Sequence, residues 1–157
     1  MRRDYFTLDV RHVDWVDEAD GEPARPAVTI AFDGPAETLH QRLTGPDGEY
    51  LAAGETDAAF RLQGGVDDPD ATGVVSVTNR HTGDFVLELN EDADDVIRFI
   101  RAAREYGKRA DDDGHYAVTI ELDGEPVVDY EKDAFLVYDT EGNLLRSRSL
   151  IPSGVEL

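Results

Sequence analysis

Apolar positions along this 157-residue chain fall in short runs rich in Val, Ile, Phe, Tyr and Thr, separated by Gly, Asp and Pro. Such runs are the pattern of strands joined by tight turns. Tyr5 to Val16 reads as a long first strand, with Phe6, Leu8 and Val10 on one face. The apolar phase then moves to Val13 and Trp15, so a bulge or bend is expected between the two sets. An acidic loop, 17–26, follows. Further strands are expected over Ala27 to Phe32, Leu39 to Thr44 and Ala58 to Gln63. Gly45-Pro46-Asp47-Gly48 is a turn by its chemistry, and Glu49 to Ala52 is placed to pair back across it. The clearest hairpin sets Val74 to Asn79 against Phe85 to Leu89 around His81-Thr82-Gly83-Asp84. In the last third, strands are expected at His115 to Leu122, Val127 to Tyr130, Ala134 to Tyr138 and Asn143 to Leu150.

One segment has a different period. From Asp92 to about Tyr106, residues Val96, Phe99, Ile100, Ala103 and Tyr106 fall on one face at 3.6 residues per turn. Asn90 or Asp92 can cap its start, and Gly107 can end it. The expected fold is therefore mainly β (α+β): an antiparallel β-sandwich or barrel-like domain with one amphipathic helix, about 92–106, packed on it. The length fits a single domain over 1–157. Residues 27–34 (AVTIAFDG) and 117–124 (AVTIELDG) agree at six of eight positions. Two readings are open: a duplicated β-meander over 27–52 and 117–150, or the ordinary way this composition builds hairpins.

Charge changes what the carboxylates mean. There are 35 Asp and Glu residues against 15 Lys and Arg, a formal net charge of −20. Within those totals 22 are Asp, and only Lys108 and Lys132 are Lys. So large an excess repels itself, and it is tolerable where molar salt shortens the Debye length to about 3 Å. The expected setting is a salt-rich cytoplasm, with inorganic cations held loosely at the acidic surface. The acids run from Asp4 to Glu156 rather than gathering in one stretch, which argues against a mimic of DNA. The start, Met1-Arg2-Arg3-Asp4-Tyr5, lacks the apolar stretch of a signal peptide, and no apolar run is long enough to span a membrane.

Motifs for chemistry are few. Cysteine is absent, so disulfides and thiolate chemistry are excluded. His12, His40, His81 and His115 show no metal-ligand spacing, and no G-x-S-x-G elbow, P-loop or dinucleotide fingerprint occurs. Asp111-Asp112-Asp113-Gly114 resembles part of a Ca²⁺ loop, but aligning Gly114 to its sixth position puts Arg109 first and Ile120 twelfth. A turn is the better reading. No catalytic residue, cofactor site or metal site is assigned, and a non-catalytic role is favoured.

Two stretches run against the acidic background. Arg98, Arg101, Arg104, Lys108 and Arg109 fall within twelve positions. Arginine forks suit phosphate or acidic partners. The same placement also follows from dipole compensation at a helix C-terminus and from pairs such as Asp94–Arg98. The other stretch is the apolar tail, with Leu150, Ile151, Val155 and Leu157; it either packs on its own sheet or adds to a partner.

The segments 73–90 (GVVSVTNRHTGDFVLELN), 92–107 (DADDVIRFIRAAREYG) and 149–157 (SLIPSGVEL) resemble the small acidic proteins of unknown function found across haloarchaea. The resemblance covers nearly the whole chain. It implies lineage and a salty compartment, and no activity, cofactor or site residue. The leading expectation is thus a binding or assembly module that docks a protein partner through residues 98–109 or the tail. The alternatives are attachment to RNA or the ribosome through the arginine stripe, and an enzyme or small-ligand protein whose site is assembled only in space.

Overall fold

The computed structural model describes residues 5–17, 21–65, 67–109 and 115–151. Within them two four-stranded sheets face one another across a shared core. The first holds β1 (Phe6–Arg11), β2 (Ala27–Phe32), β6 (Tyr116–Leu122) and β7 (Glu125–Lys132), in the order β1-β2-β6-β7. The second runs β5-β4-β3-β8 and is formed by β3 (Thr56–Leu62), β4 (Thr72–Asn79), β5 (Phe85–Asp92) and β8 (Leu136–Tyr138). The sheets do not close into a barrel.

Side-chain alternation sets the faces. Val28, Ile30 and Phe32 of β2 are buried, as are Thr56, Ala58, Phe60 and Leu62 of β3, while Asp57 and Arg61 between them are exposed. Two bulges adjust the ladders. Val77 pairs with Leu87 and Thr78 with Phe85, so Val86 is the extra residue and both Val86 and Leu87 reach the core. A second register shift lies opposite Ile120 and Glu121, next to Pro126 on the edge strand β7.

Each sheet contains one parallel pair, β2 with β6 and β3 with β8, among otherwise antiparallel neighbours. The other four pairings are antiparallel, in keeping with the expected sandwich; the parallel pairs arise where the chain leaves one sheet for the other and later returns. The two copies of the AVTI segment are these parallel neighbours, paired in register from Ala27 with Ala117 to Phe32 with Leu122. Beyond them the paths differ. Asp123 and Gly124 both have positive φ, 52° and 81°, and turn β6 tightly into β7. After Gly34 the chain instead enters α1 (Ala36–Leu43).

That helix corrects the strand expected over Leu39 to Thr44. Leu39 and Leu43 are both fully buried, and a spacing of four puts them on one helical face. Ala36, Glu37, Gln41 and Arg42 supply good helix formers around them. The second helix, α2 (Ala93–Arg109), matches the expected amphipathic helix and runs slightly longer. Asp94 and Asp95 lie in its first turn and Lys108 and Arg109 in its last, complementing the helix dipole. It buries Val96, Phe99, Ile100 and Ala103. Phe99 meets Tyr116 edge-on at 5.3 Å and Phe135 at 6.4 Å.

Two other expected strands differ in the structure. β1 stops at Arg11, because His12 adopts a left-handed conformation (φ 66°) and Asp14–Asp17 forms a 3-10 turn. This is the bend that the shifted apolar phase predicts. Asn143 to Leu150 is no strand: it holds isolated bridges, Tyr138 with Leu144 and Phe135 with Leu150, and a 3-10 turn over Arg146–Arg148. β7 latches the segment before β3. Tyr130 donates to the Leu51 carbonyl at 2.7 Å, and Lys132 Nζ donates to Ala53 O (2.7 Å), Thr56 O (2.5 Å) and Thr56 Oγ1 (3.2 Å). Among the described residues no helix is long and apolar enough to cross a membrane.

Candidate ligand cleft

Beside β1 the two sheets leave a gap. Leu8 and Val10 of β1, Val28 and Ile30 of β2, Val75 and Val77 of β4, and Val96 and Phe99 of α2 line an apolar throat of about 40 Å³. Tyr116, Val118, Ala58 and Phe135 complete its walls. One water needs roughly 10–15 Å³ measured with a water-sized probe, so the throat admits a few carbon-sized atoms. Leu8, Val10, Glu91 and Asp95 also line a wider outer concavity of about 540 Å³, together with Arg11, His12, Val13, Asp14 and Arg98. These four shared residues mark the junction. The result is a charged vestibule leading into an apolar throat.

Glu91 is the penultimate residue of β5 and Asp95 sits in the first turn of α2, so both residues border the gap at the strand-to-helix junction, while the surface of the throat itself is apolar. Carboxylate oxygens of Glu91, Asp92 and Asp95 lie within 4.8 Å of one another. Asp92 and Asp95 are exposed and Glu91 is half-buried. Burial raises the Glu91 pKa above its ordinary value, and the charges of Asp95 and Asp92 add to that; a hydrogen bond from the Asp92 backbone N–H partly offsets it. Among the described residues, none of the three carboxylates is in a salt bridge with Lys or Arg. This trio is also the one carboxylate–His grouping there that is close enough to hold a cation.

The outer wall is held by the arginines. Trp15 is buried, donates its indole N–H to the His12 carbonyl at 2.5 Å, and lies under the Arg109 guanidinium at 5.1 Å, a cation–π geometry. Arg98 pairs with Asp14 (2.9 Å) and Asp17 (3.2 Å), and Arg101 with Asp17 (2.5 Å). The left-handed His12 turn is thereby fastened to α2. Arg98 reaches these acids rather than Asp94, the intrahelical partner expected for it. Arg104 points the other way, donating to the carbonyls of Ser147 (3.2 Å) and Ser149 (2.7 Å). Lys108 and Arg109 approach Glu105 at 3.5 and 3.8 Å.

The structure thus distributes the stripe. Arg98 lines the vestibule, Arg101 and Arg109 brace its wall, and Arg104 holds the 3-10 turn before the tail. Leu150 is buried and bridges Phe135, and Ile151 is half-buried. Val155, Leu157 and Asp111-Asp112-Asp113-Gly114 lie outside the described residues. The histidines have separate neighbours: His40 hydrogen-bonds and stacks on Tyr50, His81 meets Glu55 at 2.6 Å, and His115 meets Glu131 at 3.4 Å. Sequence reasoning missed Glu91 and Asp95, and the one local signal was an acid run, 91–95, placed between a strand and a helix.

Two mixed four-stranded sheets with a long buttressing helix and an apolar throat between them define an α+β domain of the two-sheet class. The chain belongs to the family described as Family of unknown function (DUF5793), whose model matches residues 1–157. No curated protein and no solved structure gives a significant match.

Proposed function

We propose that the protein is a salt-adapted, non-catalytic binding domain whose recognition element is the cleft between β1 and α2. The observation that carries this reading is the continuity of an apolar throat with a charged vestibule through Leu8, Val10, Glu91 and Asp95. Concave apolar sites with a few convergent polar groups are the usual form of small-molecule pockets. The charge of −20 supports a setting in molar salt, where such a surface keeps a soluble hydration shell and loosely held cations. Docking of a protein or RNA through residues 98–109 draws less support. Arg98, Arg101 and Arg104 already bind Asp14, Asp17, Ser147 and Ser149, and a partner would have to replace those contacts.

Xenon is the simplest probe of the throat, since it enters dry apolar cavities. Methyl-detected NMR under xenon pressure is expected to shift Val10, Val28, Val75 and Val96 and to leave Leu43 and Val137 in place. Shifts confined to other regions, or none, would overturn the cleft as a binding site.

A further inference from the structure

We infer that the outer face of the second sheet is where two copies of this chain meet. The inference is independent of the cleft, which lies between the sheets. Along β3 and β4 the buried residues alternate with Ala59, Arg61, Val74 and Ser76, which face outward. The register sets Ala59 beside Ser76 and Ser76 beside Glu88, with Tyr138 of β8 next to Arg61. Small side chains in the middle, with Tyr138 and Phe85 on the outer strands, leave an open trough of about 630 Å³. Phe85 and Glu88 also border a second concavity, against α1 and the β4–β5 turn. Phe85 is thus a ridge between two grooves. It is 44% exposed, one of two large apolar side chains so exposed among the described residues. Arg42 fixes its backbone by donating to its carbonyl at 2.6 Å.

Charge decides what covers this face. Two copies carry −20 each and repel wherever their acids meet. The two concavities together are lined by Arg42 and Arg61 against Asp84 and Glu88, a balance of charge on a chain with 35 acids and 15 bases. A dyad turns this face against itself, so that each arginine side faces the partner's carboxylates and each Phe85 ridge faces the partner's trough. A basic partner would find denser acid elsewhere on the surface, and an acidic one would meet two carboxylates for its two arginines. Four strands about 4.8 Å apart and about six residues long span roughly 400 Å² per copy. That is below the roughly 800 Å² per partner of a standard interface, so the expected dimer is weak, with a dissociation constant on the order of 10 μM.

The test is sedimentation equilibrium of the full chain over a concentration series, in dilute buffer and in molar KCl. A dimer is expected in molar KCl, roughly tenfold tighter than in dilute buffer because the remaining acids are screened. Phe85→Glu replaces the ridge with a charge, and Ser76→Arg fills the trough. Each alone should weaken the dimer roughly tenfold or more, as loss of a central contact does, with the fold checked by circular dichroism. Two separate variants keep the inference testable if one of them misfolds. Tyr50→Glu changes the other exposed large apolar side chain, which lines neither concavity, and should leave the dimer unchanged. A chain that stays monomeric at roughly millimolar concentration in molar KCl would overturn the inference. So would a dimer that both face variants leave intact, one that Tyr50→Glu breaks, or one that weakens as salt is added.

Discussion

Gly73 of β4 lies opposite Leu62 of β3. A Cβ there would be only 2.5 Å from the Phe60 ring and would also strike the Arg61 carbonyl. Gly73→Ala is therefore expected to cost about 1–3 kcal/mol, the usual range for overpacking, read as a lower denaturation midpoint at unchanged slope. Lys132 is one of only two lysines and gives its three donors to Ala53 and Thr56. Lys132→Met removes these charge-assisted bonds, although the Ala53 carbonyl keeps the Thr56 N–H and Oγ1 donors, and should cost about 1–3 kcal/mol, whereas Lys108→Met on the helix surface should stay within about 0.5 kcal/mol. Two glutamates should respond oppositely to pH. Burial holds the Glu91 pKa above 4.5, so its contribution is present below that value and lost as pH rises through the folded pKa. Glu91→Gln should then stabilise the neutral protein and gain nothing in acid. Glu55 is held below 4.5, first by the Ala52 backbone N–H and then by His81. Its contribution is present above 4.5 and lost as pH falls through the folded pKa, so Glu55→Gln should destabilise at neutral pH only. Thermal unfolding of both variants from acid to neutral pH checks the two signs together.

At the level of elements, α2 is fastened on two sides by different kinds of contact. Arg104 donates to two backbone carbonyls, Ser147 and Ser149, which accept no such bond once it is removed. Arg104→Ala should cost about 1–2 kcal/mol. Arg101 and Asp17 are each 53% exposed, so Arg101→Ala should cost about 0–1 kcal/mol and less still in molar KCl. Equal losses would show that the stripe acts through charge alone. Helix α2 was legible in the sequence because Val96, Phe99, Ile100 and Ala103 repeat over several turns. Helix α1 was not, because two apolar residues, Leu39 and Leu43, mark only eight residues of helix and a short run of that kind also suits a strand. The same limit applies to Asn143–Leu150, where buried Ser149 turns inward to bond the Val137 N–H and the Leu145 carbonyl. The break after Arg11 is legible in the shift between Val10 and Val13; its left-handed His12 is not, since the enrichment of histidine at positive φ is too weak to single out one position.

Across the whole molecule, the excess of acid hides the residues of the proposed site. With 35 carboxylates in the chain, Glu91 and Asp95 look like any others until the fold brings them to the throat. That throat joins positions as distant as Leu8, Val28, Val75 and Val96, a juxtaposition no local pattern records. The arginine stripe was legible, but its destinations, Asp14, Asp17 and Ser147, lie 43 to 84 residues away. The charge itself makes a prediction at this scale: stability should rise from dilute buffer to molar KCl as self-repulsion is screened, and a denaturation midpoint independent of salt would remove the case for salt adaptation. The central claim is that the cleft between β1 and α2 is the recognition site. A crystal structure of the chain grown in molar KCl and pressurised with xenon tests it most directly. The expected density has xenon between Val10 and Val96; xenon bound only elsewhere, or a throat closed by its own side chains, would contradict it.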